Sequence, residues 1–240
     1  MKAFVLAAGL GTRLKPWTLS HPKALVPVRG VPMLERVIRR LEAQGFDRIV
    51  VNVHHFASQI VEFLDSGTWQ ADIKVSDESD LLRDTGGALT HAAPLLCTDD
   101  EPFLIHNVDI LSDAPLAMLM DDHSRLGGEA TLMVSNRKSS RRLLFDTRMQ
   151  LRGWENMNSG ERRGEAGEWP VRLAFSGIHV MNPSLVRRMI AEGQPRVFPI
   201  MDYYLSHTRE VPIVGERCFG LELIDIGKPE TLSRANSLFH

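Results

Sequence analysis

Cysteine is nearly absent from this 240-residue chain, with Cys97 and Cys218 its only two. Two distant thiols give neither a cysteine-rich zinc site nor a disulfide framework, so a reducing, cytoplasmic setting is expected. An excess of charge of either sign is also missing. Lys and Arg number 28 against 30 Asp and Glu, a formal net charge of −2. That balance speaks against nucleic acid as a partner but leaves room for a local basic cleft. No run of about 18 apolar residues occurs, so no helix is expected to enter a membrane. The apolar start at residues 1–6 is cut short at Gly9 and Arg13, too early for a secretory leader. Internal repeats and linker-like tracts are lacking too, and one domain over residues 1–240 is expected.

What is present is a regular alternation. Strand-like runs at residues 2–6, 48–53, 73–75, 103–105 and 130–135 are separated by helical patterns at 33–44, 56–64, 87–96 and 115–123. The 33–44 segment places Met33, Leu34, Val37, Ile38 and Leu41 at helical spacing. Strands and helices in turn predict an α/β fold, a mostly parallel central sheet with helices on both faces. The second half reads differently, with strands at 143–145, 150–154, 173–180, 211–214 and 221–225, helices near 183–192 and 200–206, and a closing helix at 228–237. The polar segment 156–168 reads as a mobile surface loop.

Directly after the first strand comes L-A-A-G-L-G-T-R-L at residues 6–14. Small residues let the backbone approach a ligand closely, and successive N–H groups in such a turn form an anion cradle. Arg13 adds a planar, permanently charged fork suited to phosphate oxygens. In open α/β sheets, ligands sit at the carboxyl ends of the strands, where this loop lies. A Rossmann fingerprint would need glycine at Leu14, and no Walker A pattern is present. Lys23 lies between Pro22 and Pro27, which stiffen its segment. Asp109 ends the apolar run 103–108, and Asp225 ends the run 223–224. A carboxylate at a strand's carboxyl end suits a hard cation such as Mg²⁺. His106 and the pair His54 and His55 lack a metal-binding pattern and read as packed or hydrogen-bonded histidines.

The stretch L-A-A-G-L-G-T-R-L-K-P-W-T, followed by P-K-A-L-V-P-V, resembles the signature of the sugar-phosphate nucleotidyltransferases, and the likeness extends from Lys2 to about Ala235. The resemblance implies a Rossmann-like, nucleotide-diphospho-sugar transferase type of fold. Residues 1–135 would mainly bind nucleotide and residues 136–240 mainly sugar. It also implies Mg²⁺-dependent transfer of a nucleotidyl group from an NTP to a sugar 1-phosphate, with pyrophosphate leaving.

By that resemblance Leu6, Ala8, Gly9, Gly11 and Thr12 lie along the nucleotide, Arg13 meets the triphosphate, and Lys23 activates the α-phosphate. Arg13, Lys23 and Asp109 form the catalytic set, and Asp109 with Asp225 holds the metal. The D-T-G-G-A segment at 84–88 offers Gly86 and Gly87 to the base and ribose, and Glu78 reads the base. Val108 stands where relatives commonly have glycine. Gly177 and Glu155 are the sugar-side candidates. A lysine that relatives place just after the residue matching Glu155 is missing, so Arg152, Arg162 or Arg163 is expected to hold the sugar phosphate.

The compact form is similar to small N-acetylmuramate, hexose and heptose 1-phosphate nucleotidyltransferases, without the long acyltransferase domain of some relatives. Two competing readings are a non-catalytic nucleotide-sugar sensor and a cytidylyltransferase for a non-sugar acceptor such as choline phosphate. Base, sugar and self-association into a homo-oligomer are left open.

Overall fold

The structure is a computed structural model that describes residues 1–227 and 229–238. Its strands are β1 (Lys2–Leu6), β2 (Pro27–Val28), β3 (Val31–Pro32), β4 (Arg48–Val53), β5 (Asp72–Asp77), β6 (Phe103–Asn107), β7 (Ile110–Ser112), β8 (Ala130–Ser135), β9 (Arg141–Phe145), β10 (Leu151–Asn156), β11 (Arg162–Gly164), β12 (Val171–Met181), β13 (Ile213–Arg217) and β14 (Leu223–Asp225). Its helices are α1 (Met33–Ala43), α2 (Ala57–Ser66), α3 (Asp84–His91), α4 (Ala93–Leu96), α5 (Leu116–Leu126), α6 (Pro183–Ala191), α7 (Ile200–Ser206) and α8 (Pro229–Leu238).

The main sheet runs β11-β10-β9-β12-β6-β1-β4-β5, with β8 pairing β12 and β13. The β6-β1-β4-β5 part is parallel throughout, as the strand–helix alternation of the first half predicts. β12 lies antiparallel to β6, β8 and β9, so a strand from the second half is laid directly against the first half's sheet. Side-chain alternation along each strand divides the interior in two. Ala3, Val5, Ile49, Val51 and Leu104 face α1, α2 and α5 on one side. Phe4, Val50, Phe103 and Ile105 face α3, α4, α6 and α7 on the other. Helices therefore cover both faces. Each cover is an apolar stripe such as Leu34, Val37, Ile38 and Leu41 on α1, where one Leu→Ala change costs about 2–5 kcal/mol.

Two expectations shift, and part of a third falls outside the described residues. The helix anticipated at 87–96 breaks at Ala92, because Pro94 sits in the first turn of α4, where its missing N–H is tolerated. The polar segment 156–168 is not one loop, since β11 pairs antiparallel with β10. The closing helix begins at Pro229, and Lys228, expected within it, lies outside the described residues. A small third core of Val28, Met33, Leu111, Ile224, Ile226 and Ala235 ties α8 and the β7–β14 ribbon to the rest, which fixes where Asp225 stands.

Candidate active site

At the carboxyl ends of β1, β4 and β6 the chain leaves a cavity of about 500 Å³, lined among others by Leu6, Ala8, Gly9, Gly11, Thr12, Lys23, Asn52, Glu78 and Asp109. The glycine loop is shaped by two contacts. Asn52 Oδ1 accepts the Ala7 N–H at 2.6 Å and the Ala8 N–H at 3.3 Å, holding the first turn against β4. Gly11 has φ +62°, and a Cβ there would lie 2.8 Å from Lys23 Cβ and 2.9 Å from Thr18 Cγ2. Only glycine lets the loop and the Lys23 segment meet so closely without strain. At Gly9 a Cβ would have nothing within 4 Å, so that side of the loop is open space.

Lys23 Nζ donates to Asp109 Oδ2, and both side chains are largely buried. Eighty-six residues apart, they form an ion pair at the cavity floor. Val108 does not disturb this turn: it is buried and donates its N–H to Leu6 O at 3.1 Å. Asp225 belongs to the neighbouring ribbon, with its Cα opposite Ile110, and Ile226 N–H donates to Asp109 O at 2.8 Å. That hydrogen bond ties Asp109 to the residue that follows Asp225. Asp225 Oδ1 accepts the Gly227 N–H at 2.7 Å. A Cβ on Gly227 would fall 2.5 Å from Arg13 Nη2 and 2.8 Å from Asp225 Oδ1, which puts the Arg13 guanidinium beside Asp225. Among the described residues, no group of three or more His, Cys, Asp or Glu side chains gathers as a metal cage. Asp109 in the cavity lining and Asp225 exposed on the ribbon beside it do fit Mg²⁺, which usually takes one or two carboxylates and completes its shell with phosphate oxygens and water.

Glu78 is fully buried, with Oε1 accepting from Asn52 Nδ2 at 2.9 Å. Its Oε2 is buried without a partner among the described residues. Burial raises the Glu78 pKa above the usual carboxylate range, opposed by the Asn52 hydrogen bond. His106 Nδ1–H donates to Asn107 O at 2.8 Å, and burial holds the ring neutral with a pKa of about 4.

Four expectations for this region are corrected. Gly86 and Gly87 do not line the cavity. Both donate their N–H to Phe198 O, at 2.9 and 3.2 Å, and a Cβ on Gly86 or Gly87 would strike the Phe198 ring or Arg196 O respectively. Their smallness admits the chain leading into α7, and the wall beside them is Leu82, Asp84 and Thr85. Glu155 points away from the site: its strand neighbour Trp154 lines the adjoining cavity, while Glu155 is bound by Arg162 and Arg172 at 3.3 Å each. Gly177 supports the site from behind. At φ +78°, a Cβ there would lie 2.9 Å from Asn107 Nδ2, and the β12–β8 register shifts at this point, between Phe175 and His179. Arg152, Arg162 and Arg163 are engaged elsewhere, by Asp146 and Glu165, by Glu155 and Glu168, and by Asp202.

Two residues were missed. Asn52 is a polar residue at the carboxyl end of an apolar strand, a signal the sequence does carry. Arg137 sits on the turn after β8; its Nη2 donates to Phe175 O at 2.8 Å. It lines a second cavity of about 250 Å³ that shares Leu6, Thr85 and Asn107 with the first.

These features define an α/β protein whose ligand cavity lies over a glycine loop at the ends of parallel strands. Residues 2–143 match the family model described as nucleotidyl transferase, and the chain belongs to that family. It is 36% identical over 137 residues to mannose-1-phosphate guanylyltransferase 1 of Arabidopsis thaliana, covering 56% of this chain and 38% of the relative. It is 31% identical over 195 residues to mannose-1-phosphate guanyltransferase of Emericella nidulans, covering 79% of this chain and 51% of the relative. The aligned region spans about half the length of such curated relatives, or less. In fold it matches HddC from Yersinia pseudotuberculosis, with a TM-score of 0.79 and 21% identity over 100% of this chain and 99% of that one. HddC is also known complexed with GMP-PN.

Proposed function

We propose that this chain transfers a nucleotidyl group from a nucleoside triphosphate to a sugar 1-phosphate. The observation that carries this reading is the Lys23–Asp109 pair, set beside Asp225 and Arg13 at the mouth of the glycine loop. An oxygen of the acceptor phosphate attacks the α-phosphorus in line, the bond to the bridging α–β oxygen breaks, and pyrophosphate leaves. The attacking oxygen is already anionic at neutral pH, so no general base is needed. The barrier is one of charge repulsion and positioning. At an effective dielectric of about 20, two unit charges about 4 Å apart repel by roughly 4 kcal/mol. Arg13 and Lys23 offset that repulsion from the protein side. Asp109 and Asp225 would hold Mg²⁺, which when bound neutralises phosphate charge. The loop's backbone N–H groups orient the triphosphate.

GTP is the nucleotide we favour. Glu78 is among the residues of the cavity wall and keeps one carboxyl oxygen without a partner among the described residues, and guanine offers two adjacent N–H donors on one edge. The relatives described above are named guanylyltransferases, which supports the same choice. Purified protein mixed with Mg²⁺, each common NTP and a panel including mannose 1-phosphate should release pyrophosphate only when both substrates are present, fastest with GTP. Pyrophosphate release that ignores the acceptor, or binding of a nucleotide sugar with no turnover of any pair, refutes the reading.

A further inference from the structure

The second cavity has an unusual electrostatic make-up for a pocket that would receive a sugar. Arg137, Arg141 and Arg142 line it, and no carboxylate does. All three arginines belong to the segment N-R-K-S-S-R-R at residues 136–142, which holds four cations and no acid. The buried Arg142 Nη1 and Arg137 Nε have no hydrogen-bond partner among the described residues. Sugar hydroxyls are donors that a carboxylate would accept, but the acid nearest in sequence expectation, Glu155, is taken by Arg162 and Arg172 on the other face of β10. The remaining polar wall is neutral: Asn107, Thr85, Ser139 and His179. Burial keeps His179 uncharged, and its two ring nitrogens have no partner among the described residues.

Charge matching decides what such a pocket takes. Arg137 is within electrostatic reach of Asp225 and of Arg142, so it stands on the side where the acceptor phosphate meets the reacting centre. One guanidinium, with the Lys23 and Arg13 side of the site, suffices for one phosphate. Arg142 is partly buried and has no ion pair among the described residues, although its Cα stands opposite Glu155 across β9 and β10. Such an unpaired guanidinium is costly, and the exposed Arg141 adds a second cation beside it. An oxyanion on the ligand removes that cost.

Resting on the transfer reading above, we infer that the acceptor is a sugar 1-phosphate bearing a second anionic group, either a carboxylate or a second phosphate. Arg141 and Arg142 receive that group while Arg137 takes the phosphate that reacts. The test is calorimetric binding to the full chain with Mg²⁺ at about 0.15 M salt, where non-specific attraction is screened. The probes are mannose 1-phosphate, mannuronate 1-phosphate and mannose 1,6-bisphosphate.

At least one doubly anionic probe is expected to bind about tenfold or more tightly than mannose 1-phosphate. Whichever binds best identifies the second group as carboxylate or phosphate. The margin should shrink below about twofold in the Arg141→Gln, Arg142→Gln double variant. Affinity for mannose 1-phosphate equal to both others, no binding of any probe, or a margin that survives the double variant overturns the inference. A binding margin with no turnover of any probe and NTP would instead count against the transfer chemistry and leave this inference standing.

Discussion

The proposed nucleotide side and acceptor side of this molecule are built by opposite means. On the nucleotide side, parallel strands end together and the chain satisfies most of its own polar groups: Asn52 holds the loop, Lys23 holds Asp109, and Asp225 caps Gly227. On the acceptor side an antiparallel extension supplies the wall, and arginine and histidine nitrogens are left without partners among the described residues. In the proposed transfer the first serves as a preorganised reaction centre and the second as a surface completed by its ligand. Electrostatic preorganisation lowers a barrier only where the groups are already fixed. Specificity, by contrast, can rest on groups that are costly until the right ligand pairs with them.

After the two strand-end aspartates, the largest effect expected from breaking this contrast is at Lys23. Lys23→Ala should slow the single-turnover rate by about 10²–10³-fold while nucleotide affinity changes less than about tenfold. A rate equal to wild type would remove Lys23 from the chemistry. Next comes Gly11→Ala, whose Cβ would press on Lys23 and Thr18 at φ +62°. It should lower kcat/KM by about 10²-fold through misplacement of the loop, with thermal unfolding a few degrees lower. An unchanged kcat/KM would show that the loop's shape is not what positions the substrate.

Glu155→Ala sharpens the comparison from the other side. Because Glu155 serves Arg162 and Arg172, it should cost about 1 kcal/mol of stability and leave the acceptor KM within about twofold. A large rise in KM would return Glu155 to the sugar site. The smallest effect concerns Glu78. Its folded pKa is raised by burial, so the folded state holds its proton more tightly than the unfolded chain does. Stability from this group is therefore full below the unfolded value of about 4.3 and declines as pH rises toward the folded value. Glu78→Gln removes the penalty, so the variant should melt higher than wild type at pH 8 and close to it at pH 4, while losing discrimination among nucleobases. Equal melting at pH 8 would contradict the buried-carboxylate account.

The parts legible in the sequence were those encoded locally. The alternation of apolar runs predicted the parallel sheet and its two helical faces. The glycine loop, Lys23, Asp109 and Asp225 each carry a local signal, and the fold brings them together. What escaped notice depended on register and on distant chain. Glu155 and Trp154 are adjacent, and only the pairing of β10 decides which of them meets the cavity. Gly86 and Gly87 do permit a close approach, but by Phe198, which comes more than a hundred residues later. Arg137 lay in a turn with no periodicity to give it a direction. Its position follows from β8 and β9 flanking β12.

The most direct test of the central claim is acceptor-dependent pyrophosphate release from GTP, measured side by side for the wild-type chain, Asp109→Asn and Asp225→Asn. The account predicts release by the wild type, and a loss of about 10³-fold or more in each variant with circular dichroism unchanged. Near-wild-type turnover in both variants would contradict it, because the two strand-end carboxylates would then not be the residues around which transfer takes place.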